Sequence, residues 1–343
     1  MTQTVIALDA MGGDYGPPVT VAAASKALEE IDNIRLVLVG DETRLRDELR
    51  QQGLSENSQL AIHHASEVVD MDDLPAMALK KKKDSSMRVS INLVNDGAVQ
   101  ACVSAGNTGA LMATSKFVLK TMKGISRPAI CTLLPGIHGP THMLDLGANI
   151  DCTPEHLVEF ALMGSVLAQS VEGIEQPSIG LLNIGSEAIK GSDNIKRASE
   201  LLKQSRLNYL GYVEGDDIYK GTVDVIVADG FVGNVSLKTA EGVAALVASV
   251  LQDEFKRSLW TRLAAACALP VLRSVRRRLD PRRYNGASLL GLNGIVIKSH
   301  GSADTSSFFN AIKIASIEIE KGVPQRISRA IESYFRQEED ATP

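Results

Sequence analysis

Short, apolar, β-branched runs alternate repeatedly with longer amphipathic ones along this chain. The short runs occupy residues 5–10, 34–40, 60–64, 98–104, 130–134, 143–146, 179–184, 223–228 and 294–298. The longer ones occupy 18–31, 42–52, 109–122, 155–170, 194–205 and 235–255. The short runs are almost uniformly apolar, which predicts strands covered on both faces. Strand–helix alternation of this kind predicts an α/β fold: a Rossmann-like layered sheet, mostly parallel. With 343 residues, 44% of them hydrophobic, the chain can bury a large core as a single α/β unit or as one with two lobes.

In such sheets ligands gather beyond the carboxyl ends of the strands. Six segments at those ends are rich in Gly, Asn and Asp: DAMGGDYGP (9–17), SAGNTGA (104–110), DLGAN (145–149), NIGSEAIKG (183–191), ADGFVGN (228–234) and SHGSAD (299–304). Glycine lets main-chain N–H groups approach an anion closely. Together the loops predict one shared anion pocket. Its expected phosphate ligands are the Gly12 and Gly13 backbone, Asn107 and Thr108 opening a helix, Ser186 and Lys190. Lys190 is the first candidate for neutralising the charge, and His300 is a candidate acid or base near neutral pH. Asn149, Asn183 and Asn234 are candidate donors, while Asp9, Asp14, Asp145, Asp229 and Asp304 suit orienting or capping roles.

Several function classes are disfavoured. A formal charge of −5 and 4% aromatic residues argue against nucleic-acid binding. The four cysteines lack C-x-x-C spacing, fit a reducing cytosol, and include Cys102 inside an apolar run. No close-spaced ligand cluster signals a metal, so neither metal nor cofactor is expected. There is no Gly-x-Ser-x-Gly elbow, and LVGDET is a poor match to a dinucleotide fingerprint. The first residues lack the basic region of a signal peptide. No apolar stretch is read as reaching the roughly 18 residues of a membrane span.

Residues 254–283 form the strongest electrostatic feature, with nine Lys or Arg from Lys256 to Arg283 against one acid, Asp280. Apolar stripes at Phe255, Leu259, Leu263 and at Leu272, Val275, Leu279 predict two short helices. Pro270 is expected to break the chain between them, giving a basic helical hairpin with an apolar tip at 266–270. Trp260, the only tryptophan, lies within it. Three readings fit: a packed hairpin with a solvated basic face, a membrane-surface element, and a docking site for an acidic protein. Trp260, Leu263, Leu269, Leu272, Arg273, Arg276, Arg277 and Arg278 would carry either contact. The stretch 263–272 beside 289–292 is a candidate wall for an apolar substrate chain.

The segment IALDAMGGDYGP resembles the N-terminal signature of the PlsX family, the acyl-acyl-carrier-protein:phosphate acyltransferases. The resemblance continues through SAGNTGA, LDLGAN, LLNIGSE, ADGFVGN and SHGSAD. It implies that acyl-ACP and inorganic phosphate are converted to acyl phosphate and free acyl carrier protein, feeding phospholipid synthesis and a downstream glycerol-3-phosphate acyltransferase. It also implies a cytoplasmic homodimer associated peripherally with an anionic membrane. The implied fold is similar to isocitrate and isopropylmalate dehydrogenases and phosphotransacetylases, with the hairpin protruding. Phosphate would be the nucleophile, so no enzyme nucleophile is needed. The alternatives are a phosphotransacetylase-like enzyme using acyl-CoA, a decarboxylating dehydrogenase, and a non-enzymatic membrane scaffold.

Overall fold

The computed structural model describes residues 3–279 and 281–341. Its strands are β1 (Thr4–Asp9), β2 (Ile34–Gly40), β3 (Leu60–His64), β4 (Ala101–Ser104), β5 (Ala129–Leu134) and β6 (Thr141–Leu144), followed by β7 (Ile179–Leu182), β8 (Tyr209–Val213), β9 (Val225–Val227), β10 (Ala287–Leu290) and β11 (Ile295–Lys298). The helices are α1 (Pro17–Glu30), α2 (Glu42–Gln51), α3 (Pro75–Lys81), α4 (Ser86–Asn95), α5 (Thr108–Leu119) and α6 (Pro154–Glu172), then α7 (Asp193–Gln204), α8 (Asp217–Lys220), α9 (Gly230–Lys256), α10 (Leu259–Leu279), α11 (Thr305–Lys321) and α12 (Val323–Ala341). All nine apolar runs read from the sequence lie on strands. β8 and β10 are additional; neither has so uniform an apolar run.

The strands form one sheet in the order β3-β2-β1-β4-β11-β10-β5-β6-β9-β7-β8. Seven of the ten pairings are parallel. Alternate side chains of each strand enter different cores. Ile6 and Leu8 of β1 join the layer of α1 and α11, whereas Ala7 joins the layer of α4 and α5. Cys131 and Leu144 lie in a third layer with α6, α7 and α12. Burial of a side chain the size of Leu8 contributes roughly 1.5–3 kcal/mol, so an unbroken apolar strand is held from both faces. Leu289, Leu290 and Leu292 are buried in these layers. They therefore form no groove wall, which corrects that expectation.

The basic arm also differs from its expected form. α10 runs without interruption through Pro270. Its start is fixed by reciprocal bonds: Thr261 N–H donates to Ser258 Oγ (3.1 Å), and Ser258 N–H donates to Thr261 Oγ1 (3.0 Å). Such a box stops one helix and starts the next. The hairpin partner of α10 is therefore the 27-residue α9, which it packs against, and the tip is at Arg257–Ser258 rather than 266–270. Pro270 is tolerated because Ala266, whose carbonyl loses its partner, is exposed to water. Only Gly230 and Gly233 of α9 are buried. Among the described residues, α9 is the one helix long and apolar enough to cross a membrane by length and composition alone, which corrects the expectation that no stretch reaches that length.

Candidate active site

Strand direction divides the predicted loops into two groups. β3, β2, β1, β4 and β11 run one way. β10 is antiparallel to both β11 and β5, and β6 is antiparallel to β5. β6, β9, β7 and β8 run together, opposite to β1. The loops after β1, β4 and β11 thus share one edge of the sheet, here the upper edge, and those after β6, β7 and β9 share the lower. The single pocket expected from six loops is corrected to two separate loop clusters. The sequence pattern does not encode which way a strand points.

At the upper edge Asp9 is buried and accepts hydrogen bonds from Ser86 Oγ and Ser104 Oγ, both at 2.6 Å. Burial raises its pKa, and these bonds and those from the Met11 and Gly12 N–H groups oppose the rise. A side chain at Gly12 would begin 2.5 Å from Asp9 Oδ2 and 2.9 Å from Gly106 N. Gly13 has φ +85°, and its N–H-bearing turn lies against Ala105 and Gly301. These contacts require glycine at both positions. Gly12, Gly13, Tyr15, Ala105 and Gly301 line a narrow crevice. Asp14 is exposed beside it, its N–H donating to Gly301 O.

Asn107 caps α5 by accepting from Ala110 N–H, and its Nδ2 donates to Met71 O (2.8 Å) and Asp73 O (3.1 Å). Its side chain is thus committed to fixing the loop, which removes it as a direct donor and leaves the exposed Thr108 at the helix N-terminus. Asp304 caps α11 through Ser307 and pairs with Arg282 at 3.1 Å.

His300 is held by a residue that the motifs did not reveal. Asn285 Oδ1 accepts from His300 N–H, and Asn285 Nδ2 donates to Ser299 Oγ and Ser307 O. His300 Nδ1 receives the Ser302 N–H at 3.3 Å and lies 2.9 Å from Ser302 Oγ. With Nδ1 accepting, the neutral ring carries its proton on Nε2. Partial burial and then the nearby Lys238 lower its pKa, so it is a neutral N–H donor at pH 7.

Lys238, too, is not marked by any loop motif. It lies on α9, which starts at the lower edge and climbs about 12 Å over eight residues. There its charge acts on both His300 and Lys298, while its Nζ pairs with Glu241 at 2.7 Å. Only the path of α9 brings it there, so no loop motif signals it.

The lower edge holds the remaining candidates. Asp145 is buried and accepts from the N–H groups of Ile130, Ala148 and Asn149 and from Asn149 Nδ2. Burial raises its pKa against those bonds. Asn149 Nδ2 also donates to Pro128 O. Asp229 caps α9 at Val232. A side chain at Gly233 would fall onto the Asp145 carbonyl oxygen, so α9 seals this turn. Asn234 is exposed beside Gly147. Asn183 Nδ2 donates to Gly185 O and Lys190 O, pinning its own loop. Ser186 is exposed, and Lys190 Nζ pairs with Glu187 Oε1 at 2.9 Å. Lys190 therefore does not meet Gly12 and Gly13 within the chain.

On the arm, Trp260 (81% exposed) and Leu263 flank the tip, and Leu269 and Arg273 are exposed farther along, with Leu272 half-buried. The side chains of Arg276, Arg277 and Arg278 lie outside the described residues. Among the described residues no cluster of three or more His, Cys, Asp or Glu could hold a metal. Cys102, Cys131 and Cys152 are buried with raised pKa values, chiefly from burial, so none is a thiolate at neutral pH.

The family model described as "Fatty acid synthesis protein" matches residues 4–326. A phosphate acyltransferase of Methylococcus capsulatus is 59% identical over 332 residues, covering 97% of this chain and 98% of that protein. One from Alkalilimnicola ehrlichii is 58% identical over 340 residues, covering 99% of each. This chain belongs to that family. It is the PlsX family indicated by the motifs, and the chain is accordingly an acyl-transferring enzyme. Among solved structures, a phosphotransacetylase from Streptococcus pyogenes aligns with TM-score 0.62 at 17% identity, covering 96% of this chain and 94% of that one. A 4-hydroxythreonine-4-phosphate dehydrogenase from Klebsiella pneumoniae aligns with TM-score 0.55 at 15% identity, covering 92% and 99%. At these identities the likeness establishes the fold shared by phosphotransacetylase and dehydrogenase.

Proposed function

We propose that the enzyme transfers the acyl group of acyl-ACP to inorganic phosphate at the upper edge of the sheet, releasing acyl phosphate and the carrier thiol for phospholipid synthesis. Acyl transfer to phosphate rests on family membership; the observation that carries the site is His300, held as an Nε2–H donor next to Gly301, which packs against Gly13, and within the field of Lys238. Phosphate binds the Gly12–Gly13 turn and the α5 N-terminus at Thr108, with Lys238 supplying charge. A phosphate oxygen attacks the thioester carbon, and His300 Nε2–H stabilises the carbonyl oxygen as it becomes anionic. The thiolate is a good leaving group and requires little acid assistance.

A second reading places phosphate at Lys190 and Ser186, favoured by their joint exposure on a glycine-bearing loop. Kinetics of Lys238→Ala and Lys190→Ala separate the two. The expected result is a phosphate KM raised about tenfold by the first change and little moved by the second; the reverse transfers the site to the lower edge. The overall reaction is tested by trapping acyl phosphate with hydroxylamine from equal concentrations of acyl-ACP and acyl-CoA. Preference for the carrier supports the reading, preference for CoA favours a transacetylase, and no trapped product leaves the scaffold.

The chain is further proposed to act in the cytoplasm as a homodimer on an anionic membrane surface. The apolar residues exposed on α9 and around Trp260, next to Lys256, Arg257 and Arg262, support that reading. Its test is sedimentation with anionic and neutral vesicles; equal failure with both removes the membrane contact.

A further inference from the structure

Lys298, the last residue of β11, is 8% exposed. Its Nζ donates to Ala105 O at 3.2 Å and to Ser299 O in a short bond. Those carbonyls belong to the loops after β4 and β11, the two that flank the Gly12–Gly13 turn. The ammonium has three donors, and these two bonds leave one uncommitted. Asp9 and Asp14 act on it through space and Lys238 opposes them; no carboxylate bonds to it directly. Asp9 is already engaged by two serine hydroxyls.

Burying a charge is costly unless it is paired. A lysine with two neutral carbonyl partners retains part of that cost, and a bound anion would relieve it. Burial brings the Lys298 pKa down to about 8, against the pull of Asp9 and Asp14.

We infer that Lys298 is a positioning residue for phosphate: from beneath the crevice it ties the β4 and β11 loops together through Ala105 O and Ser299 O, and its charge favours the dianion above. This inference rests on the upper-edge reading of the site. No bond is made or broken at Lys298. Anion binding draws a proton onto it, so phosphate binding and proton uptake are linked above neutrality.

The groups facing Lys298 are Asp9 on β1, Asp14 on the following turn, Lys238 on α9 and His300 on its own loop. Inorganic phosphate is largely dianionic above pH ~8, so its own titration adds little there. Calorimetry of phosphate binding to the full chain, in buffers of different ionisation heat, should register proton uptake at pH 8–9 that gives way to proton release near pH 7, where part of the phosphate must lose a proton to bind as the dianion. The phosphate KM should rise roughly tenfold from pH 8 to 9.5 with kcat less affected, as one linked group losing its proton dictates. Lys298→Met, similar in length, should raise the phosphate KM at pH 7 by about 10–100-fold and flatten that profile. Lys238→Ala removes a charge that opposes the Lys298 proton, so it should keep the profile but move it to higher pH.

Binding without proton uptake in the wild type overturns the inference even if Lys298→Met does not fold. So does a folded Lys298→Met protein with unchanged KM and profile. If His300→Ala is fully active, it is instead the upper-edge site that fails.

Discussion

The chain makes nearly the same turn twice, with opposite results. Leu8-Asp9 ends β1 and Leu144-Asp145 ends β6; each Asp is buried and each is followed within three residues by glycine. Asp145 closes on its surroundings through main-chain N–H groups and Asn149, and the glycines of α9 pack over it. Asp9 instead reaches hydroxyls 77 and 95 residues away in sequence, on α4 and β4. The first arrangement seals a turn. The second gathers three segments around a crevice. A buried strand-end aspartate thus marks organised backbone, and its partners decide whether the turn is a structural knot or the frame of a site.

The largest test of that contrast is His300→Ala. It should lower kcat/KM by about 10²–10³, or roughly 3–4 kcal/mol, the usual loss on removing one oxyanion donor. Activity within threefold of wild type would break the comparison. Asp145→Ala should act on stability instead, by about 3 kcal/mol in urea unfolding, because it orphans several buried N–H groups. Its folded fraction should keep a kcat close to wild type; loss of turnover without loss of stability would make the lower edge catalytic.

The seam between the halves gives a smaller, pH-dependent effect. Glu318 on α11 is buried against Ser288 of β10, and burial lifts its pKa from 4.5 to about 7. The folded state holds this proton more tightly than the unfolded state, so stability falls as pH rises from about 4.5 to 7 and then levels off. Glu318→Gln should therefore be more stable than wild type at pH 8, by ~1–3 kcal/mol, with the gain gone by pH 4.5. Thermal melts across that range check it. The smallest effect belongs to Asn107→Ala, where loss of the α5 cap should cost about 1 kcal/mol. A comparable drop in turnover would follow only through displacement of the loop it ties to Met71 and Asp73.

The strands were legible because residues such as Ile6, Leu8, Val225 and Val227 must be apolar to lie between two layers. The loops were legible because turns at Gly12, Gly13 and Gly233 leave no room for a side chain. Sheet order was not legible, since hydrophobic pattern is the same whichever way a strand runs. That is why Lys190 and Gly12 were expected together. Lys238 and Asn285 were hidden for a related reason: Lys238 is carried away from the ADGFVGN turn along the helix that begins there, and Asn285 lies on a segment with no motif. Pro270 misled because proline statistics weigh the missing bond and not the Ser258–Thr261 box that sets the helix start.

The path of α9 carries one more consequence. The same continuous helix carries Lys238, whose charge reaches His300 and Lys298, and ends near Trp260, which is exposed to solvent. The chain has no other tryptophan. Its emission is therefore a single-site optical gauge, uncontaminated by the core, of whatever comes to cover the hairpin. Because a stiff rod joins gauge and crevice, titrating phosphate while watching that emission asks whether the two ends of α9 sense each other.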